Sequence, residues 1–136
     1  MDWCKHGFFI RELPLRHCIG AKLLGVPLII GINWAMLSIV SAALLSTLKL
    51  DFWMEVLAAA TLMVFLDFIM EPVAVKLCFW YWKDDIIPVY NYVCWFITAV
   101  FLQFVFRKWR LNEANNVAVA LFIYMTIFFT FLNFRL

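Results

Sequence analysis

Two carboxylic acids lie four residues apart inside a long apolar stretch, FLDFIMEPVAV, which runs from Phe65 to Val75. In a helix this spacing places Asp67 and Glu71 on the same face. Two negative charges so close together repel strongly where the dielectric constant is low, so we expect at least one acid to keep its proton at neutral pH. A protonated carboxyl group can donate a hydrogen bond or deliver a proton, which makes the pair a candidate for acid catalysis.

Pro72 directly follows the second acid. Because proline has no N–H, the carbonyl group of Phe68 loses its helical partner, and the helix is expected to kink or end here. A kink would open space beside Glu71 and leave an acceptor free. Interhelical packing is the alternative interpretation of the two acids, although packing seldom requires two acids together.

Amide and aromatic side chains occur in two neighbouring apolar stretches. GINW contains Asn33 and Trp34, and PVYNYVCW contains Tyr90, Asn91 and Trp95. The asparagines are candidates for holding water or the partner carboxyl group, and the aromatic rings can stabilise a cation. For both asparagines, packing between membrane helices remains an equally good interpretation.

Other polar residues in the apolar stretches are interpreted as structural. Glu55 lies within one turn of the start of its stretch and is expected to reach the membrane interface. Thr126, Thr130 and Asn133 form a stripe that is typical of packing between membrane helices.

A buried acid with amides and many aromatic rings suits an apolar substrate that enters from a bilayer. Protonation of an alkene gives a tertiary carbocation, which either takes up water to give a tertiary alcohol or is attacked by an internal double bond to close a ring. Neither outcome requires a metal or organic cofactor, and we expect none. The four cysteines have no metal-binding spacing and no CxxC pair, so we interpret them as reduced thiols.

The composition requires these residues to be carried by membrane-spanning elements. Of the 136 residues, 67% are hydrophobic and 15% charged, with a mean hydropathy of +0.94, whereas soluble domains have about 45–50% apolar and about 25% charged residues. A net charge of +2 without a basic patch argues against a nucleic-acid partner. Lipid must therefore solvate much of this chain.

Four stretches are long enough to span a bilayer, which takes about 20 apolar residues. Backbone polar groups must be paired inside hydrocarbon, so each stretch is predicted to be a helix. The sequence predicts an all-α, polytopic transmembrane helix bundle, a single membrane domain over residues 1–136 with a polar N-terminal segment. That segment is 1–22, and the helices are 26–48, 52–75, 88–106 and 116–134.

The distribution of lysine and arginine predicts the orientation. With the N-terminus on one side, that side holds seven of these residues, Lys5, Arg11, Arg16, Lys22, Lys76, Lys83 and Arg135, and the other side holds four, Lys49, Arg107, Lys108 and Arg110. Basic loops stay in the cytoplasm, so both termini are predicted to be cytoplasmic, in the plasma (inner) membrane. Partner membrane helices and a homo-oligomer both remain open.

Three segments resemble the membrane carotenoid hydratases, a group that is often named carotenoid biosynthesis protein and includes the bisanhydrobacterioruberin hydratases. They are KLLGVPLIIGINW from Lys22, FLDFIMEPVA from Phe65 and IIPVYNYVCWF from Ile86. The resemblance covers roughly residues 20–106 and keeps the order and spacing of the motifs. Family members look longer and have further helices before the first motif, so this chain is expected to lack N-terminal helices.

The resemblance implies hydration of a terminal isoprenoid double bond of a carotenoid to a tertiary alcohol, a hydro-lyase activity. One of the two acids would donate the proton, the asparagines would hold water or the other carboxyl group, and the tryptophans would line the polyene site. Two alternatives stay open, a proton-driven carotenoid cyclase and a small non-catalytic subunit or degenerate remnant. The residues that match the motifs are Asn33, Trp34, Asp67, Glu71, Pro72, Asn91 and Trp95.

Overall fold

A computed structural model describes residues 22–23, 26–77, 87–109, 111 and 115–136. Within them, four helices are long and apolar enough to cross a membrane. This confirms the predicted all-α, polytopic membrane bundle. The helices are α1 (Leu28–Ser46), α2 (Phe52–Lys76), α3 (Val89–Lys108) and α4 (Asn116–Arg135), and they are preceded by two short antiparallel strands, β1 (Lys22–Leu23) and β2 (Val26–Pro27). Nearly all of the predicted polar segment 1–22 lies outside the described residues.

The first helix is shorter than predicted at both ends, and local chemistry explains why. It begins at Leu28 because the two residues before it pair with β1, and a residue that precedes a proline, here Val26, prefers an extended backbone. It ends at Ser46, before a turn in which Lys49 has a φ of 49°. This left-handed conformation cannot continue a right-handed helix.

Contacts between helix ends show that neighbouring helices alternate in direction. Trp34 near the start of α1 stacks on Trp95 near the start of α3, so these two helices run parallel. Glu55 at the start of α2 pairs with Arg107 at the end of α3, so these two run antiparallel. Asn133, close to the end of α4, bonds to the second half of α2, so α4 runs parallel to α2.

Helices α1 and α2 form the centre of the bundle, since both contact α3 and α4 as well as each other. Outer faces, mostly on α3 and α4, carry large exposed apolar side chains, as is typical of helices in a bilayer. The interior residues are Trp34, Leu37, Val40, Ala43, Ala60, Met63, Leu66, Ala99, Ala118, Phe122 and Met125.

Candidate functional site

The two acids of α2 face the inside of the bundle. Asp67 is 7% exposed and Glu71 is 3% exposed. Their carboxyl groups are close enough to interact electrostatically, as the spacing of four residues predicts. Two ionisable groups have thus been placed away from lipid on one face of a single membrane-spanning helix, which continues through Pro72 as far as Lys76.

Asn91 brings a third buried polar group to this end of the bundle. It lies in the first turn of α3, where its backbone N–H donates to the carbonyl of Pro88, and it is 5% exposed. Atom Nδ2 of Asn91 and atom Oδ2 of Asp67 are both buried without a hydrogen-bond partner among the described residues. An unpaired buried polar group costs about 1–3 kcal/mol, so a donor and an acceptor left unpaired on adjoining helices call for a ligand or a water molecule.

Tyr92 also belongs to this site, although it was not predicted from the sequence. Its ring lies 5.7 Å from the ring of Phe68, the neighbour of the first acid, and it is within electrostatic range of both carboxyl groups. Helical spacing in the sequence could have identified Tyr92, because Tyr92, Trp95 and Ala99 lie on one face of α3. A tyrosine beside two acids can hydrogen-bond to them, and its ring can face a cation.

Trp34 and Trp95 stack on each other, with ring centroids 4.3 Å apart and planes 20° apart. Each tryptophan is the seventh residue of its helix, and each helix follows directly on a proline, Pro27 or Pro88. Because α1 and α3 run parallel and each tryptophan is equally far from the start of its helix, the two rings lie at the same depth in the bundle. Since one face of each ring is covered by the other, only the remaining faces and edges can meet further groups.

The structure does not bring all the predicted site residues together. Tyr90 is 51% exposed and lies on the outer surface of α3, one helical step from buried Asn91. Asn33 is half-buried, outside the set of enclosed polar groups. Cys94 is disulfide-bonded, so the prediction of a reduced thiol is wrong for this residue.

A second polar region lies nearer the other end of the bundle, and most of it was not predicted from the sequence. Gln103 is 2% exposed, and its amide nitrogen donates to the backbone carbonyl of Ser38 at 3.1 Å and to the sulfur of Met63 at 3.0 Å. This side chain links α3 to α1 and α2 at once. The only sequence signal was an amide within the apolar run FLQFVF.

Glu55 and Arg107 form an ion pair in the same region, with an N–O distance of 3.2 Å. The glutamate was expected to be structural and to reach the interface. It is structural, but it is buried at 3% exposure rather than extended to the surface. The guanidinium group that reaches it from the last turn of α3 stays one-third exposed.

Membrane-spanning helices that enclose buried acids and amides define an integral membrane protein with a polar interior site. The family model described as "Carotenoid biosynthesis protein" matches residues 5–135, and the chain belongs to this family. No curated protein and no solved structure matches the chain. Family membership fits the apolar surroundings of the acids, because carotenoids are isoprenoids that dissolve in the bilayer.

Proposed function

We propose that the protein catalyses the acid-driven hydration of a terminal isoprenoid double bond of a carotenoid to a tertiary alcohol. The observation that carries this proposal is that Asn91 Nδ2 and Asp67 Oδ2, on the adjoining helices α3 and α2, are both buried without a hydrogen-bond partner among the described residues. A water molecule is both a donor and an acceptor, so it can satisfy both atoms. Water and acid would then sit together in an otherwise apolar membrane interior.

The proposed reaction balances with water as the only co-substrate. The acid transfers its proton to the less substituted carbon of the double bond, and the tertiary carbon becomes a cation. Water forms a C–O bond to this cation, and the resulting oxonium ion returns a proton to the carboxylate. The net change is the addition of one water molecule, and the acid is regenerated.

The residues divide naturally between these steps. Asp67 is the proposed donor, because its buried Oδ2 atom has no hydrogen-bond partner among the described residues, so a proton on this atom would be available for transfer. Glu71, its electrostatic neighbour, is the proposed acceptor of the proton that water releases, and it then passes this proton to Asp67 so that the acid is regenerated. Tyr92 and the uncovered faces of the stacked tryptophans can stabilise the cation, an interaction worth about 2 kcal/mol or more when water is excluded.

Expression of the full chain in a host that accumulates an acyclic carotenoid tests the proposal. Mass spectrometry of the extracted pigments should find a product heavier by one water molecule. A new product of unchanged mass would overturn hydration and indicate cyclisation. A folded, membrane-inserted chain that converts no acyclic carotenoid would overturn the enzymatic proposal and favour a non-catalytic packing subunit.

We further propose that the protein lies in the plasma membrane with both termini in the cytoplasm. The support is the distribution of lysine and arginine in the sequence, seven on the side of the termini against four on the other. The disulfide at Cys94 favours the reverse orientation. Cys94 lies near the end of the bundle where α3 begins, and disulfides persist outside the cytoplasm. Two reporters fused to the C-terminus test the orientation. We expect a reporter that fluoresces in the cytoplasm to be fluorescent and alkaline phosphatase to be inactive. The opposite pair of results would contradict the proposed orientation.

A further inference from the structure

We propose that Asn133 of α4 is a positioning residue for the acid pair. Its side-chain nitrogen donates to the backbone carbonyl of Ile69 on α2 at 2.7 Å and to the carbonyl of Phe129, one turn back on α4, at 3.0 Å. Both acceptors are carbonyl oxygens, so only the amide nitrogen, with its two hydrogens, can serve both. The bond within α4 fixes the side chain and directs the other N–H at α2.

The carbonyl that Asn133 reaches belongs to the residue midway between the two acids. Three residues further on, Pro72 withdraws the N–H that Phe68 would use, and its ring crowds the preceding turn. Inside a membrane, neighbouring helices re-satisfy backbone groups around such prolines. The carbonyl that Pro72 leaves without its helical N–H is that of Phe68, one residue before the Ile69 carbonyl that Asn133 binds, so Asn133 supports the backbone of α2 in the turn where the helix's own hydrogen bonding is weakened.

The two carboxyl groups project from either side of this supported turn, so its local twist sets their relative position. Misplacement of a reacting group by about 1 Å can lower a rate by about 100-fold. The expected effect on turnover rests on the proposed function. The geometric part of the inference, that Asn133 fixes the turn which carries the acids, does not.

A double-mutant cycle of Asn133→Leu and Pro72→Ala tests, without any substrate, whether Asn133 fixes the turn that carries the acids. Leucine keeps the approximate size of asparagine but cannot donate, and alanine restores the missing N–H of the helix. The readout is the infrared stretching bands of the acids in the detergent-solubilised full chain, assigned with Asp67→Asn and Glu71→Gln. We expect Asn133→Leu to shift these bands when residue 72 is proline and to leave them nearly unchanged when it is alanine.

Thr126→Val is the matched control on α4, because the hydroxyl of Thr126 donates only to the carbonyl of Phe122 on its own helix. It should leave the acid bands where they are. If Asn133→Leu does not yield folded protein, Asn133→Ser replaces it, since the shorter side chain cannot reach α2. Unshifted bands, or equal shifts with proline and alanine at position 72, would overturn the inference.

Turnover separates this inference from the proposed function. In a chain that hydrates a carotenoid, Asn133→Leu should lower kcat by about tenfold at unchanged KM, because the positioned acid acts in the transition state. Loss of stability with normal kcat in the folded fraction would overturn the positioning role. Shifted bands in a chain that converts no carotenoid would contradict the hydratase proposal and leave the Asn133 inference standing.

Discussion

The two ends of the bundle treat their buried polar groups differently. Where α2 begins and α3 finishes, Glu55 is paired with Arg107, and deeper in the bundle Gln103 donates two hydrogen bonds. Where α3 begins, Asp67 and Asn91 each keep a buried polar atom without a partner in the described part of the chain. The same two helices carry both arrangements, so the difference lies in the side chains and not in the fold.

Paired polar groups join helices, whereas unpaired ones lower stability unless something else binds them. The buried polar groups where α2 begins therefore join helices, whereas those where α3 begins form a candidate functional site. Ser41, one turn from Ser38, also has a buried hydroxyl oxygen without a partner among the described residues. A neutral hydroxyl costs less to bury than an acid and has no acidic proton to transfer, so it does not indicate a second site.

The largest expected effect follows loss of both acids. Asp67→Asn combined with Glu71→Gln keeps the shapes but leaves no carboxyl proton, and general acid catalysis is worth about 10²–10⁴-fold. Hydrated product per folded protein, quantified by mass spectrometry, should fall by a factor in that range. Glu55→Gln, at the paired end, is the control and should keep the wild-type yield per folded protein. Survival of conversion in the double variant would refute the catalytic assignment.

Arg107→Met should give the largest loss of stability among these variants, because it leaves the Glu55 carboxylate buried and uncompensated. Breaking a fully buried pair costs about 3–5 kcal/mol, and we expect about 2–3 kcal/mol here because the arginine is partly exposed. Unfolding in detergent micelles measures this cost. Adding Glu55→Leu should recover most of it, and failure to recover would show that the ion pair is not the cause.

Two buried amides on α3 allow a matched comparison of the two ends. Gln103→Met should cost about 1 kcal/mol of stability, because it removes interhelical hydrogen bonds, and should leave turnover in the folded fraction unchanged. Asn91→Leu should change stability little, because its amide nitrogen makes no hydrogen bond to another described residue, and should lower turnover about tenfold through loss of the proposed water. Unfolding and conversion assays on both variants check this. The reverse pattern would contradict the assignment of Gln103 to helix packing and of Asn91 to the candidate site.

The smallest expected effect concerns the stacked tryptophans between the two regions. Trp95→Phe should cost about 0.5–1.5 kcal/mol in unfolding free energy, because the smaller ring of phenylalanine keeps less of the contact with Trp34. Circular dichroism should show an exciton couplet that is lost in Trp95→Phe and in Trp34→Phe. Trp109→Phe, which alters a 67% exposed ring, should keep the couplet. A couplet that persists without either stacked tryptophan would contradict the pairing.

Much of the fold was predictable because a bilayer acts on local stretches of sequence. Four apolar runs of sufficient length predicted four helices, and the spacing of Asp67 and Glu71 predicted a shared inner face. Tyr90 and Tyr92 show what the sequence pattern did not decide. They are two residues apart, about 200° around a helix, and Tyr90, the one named from the sequence, is the more exposed of the two.

The sequence by itself determined the class of protein, the number of described spanning helices and the acid pair, because hydrocarbon tolerates only long apolar helices and few charges. The tertiary structure decided which side of α3 meets α2, that Gln103 joins three helices, and that Asn133 reaches the turn between the acids. Lipid is as apolar as the bundle interior, so hydropathy carries little information about how a membrane helix is rotated. Only the contacts between helices fix that rotation, and with it the side chains that share a site.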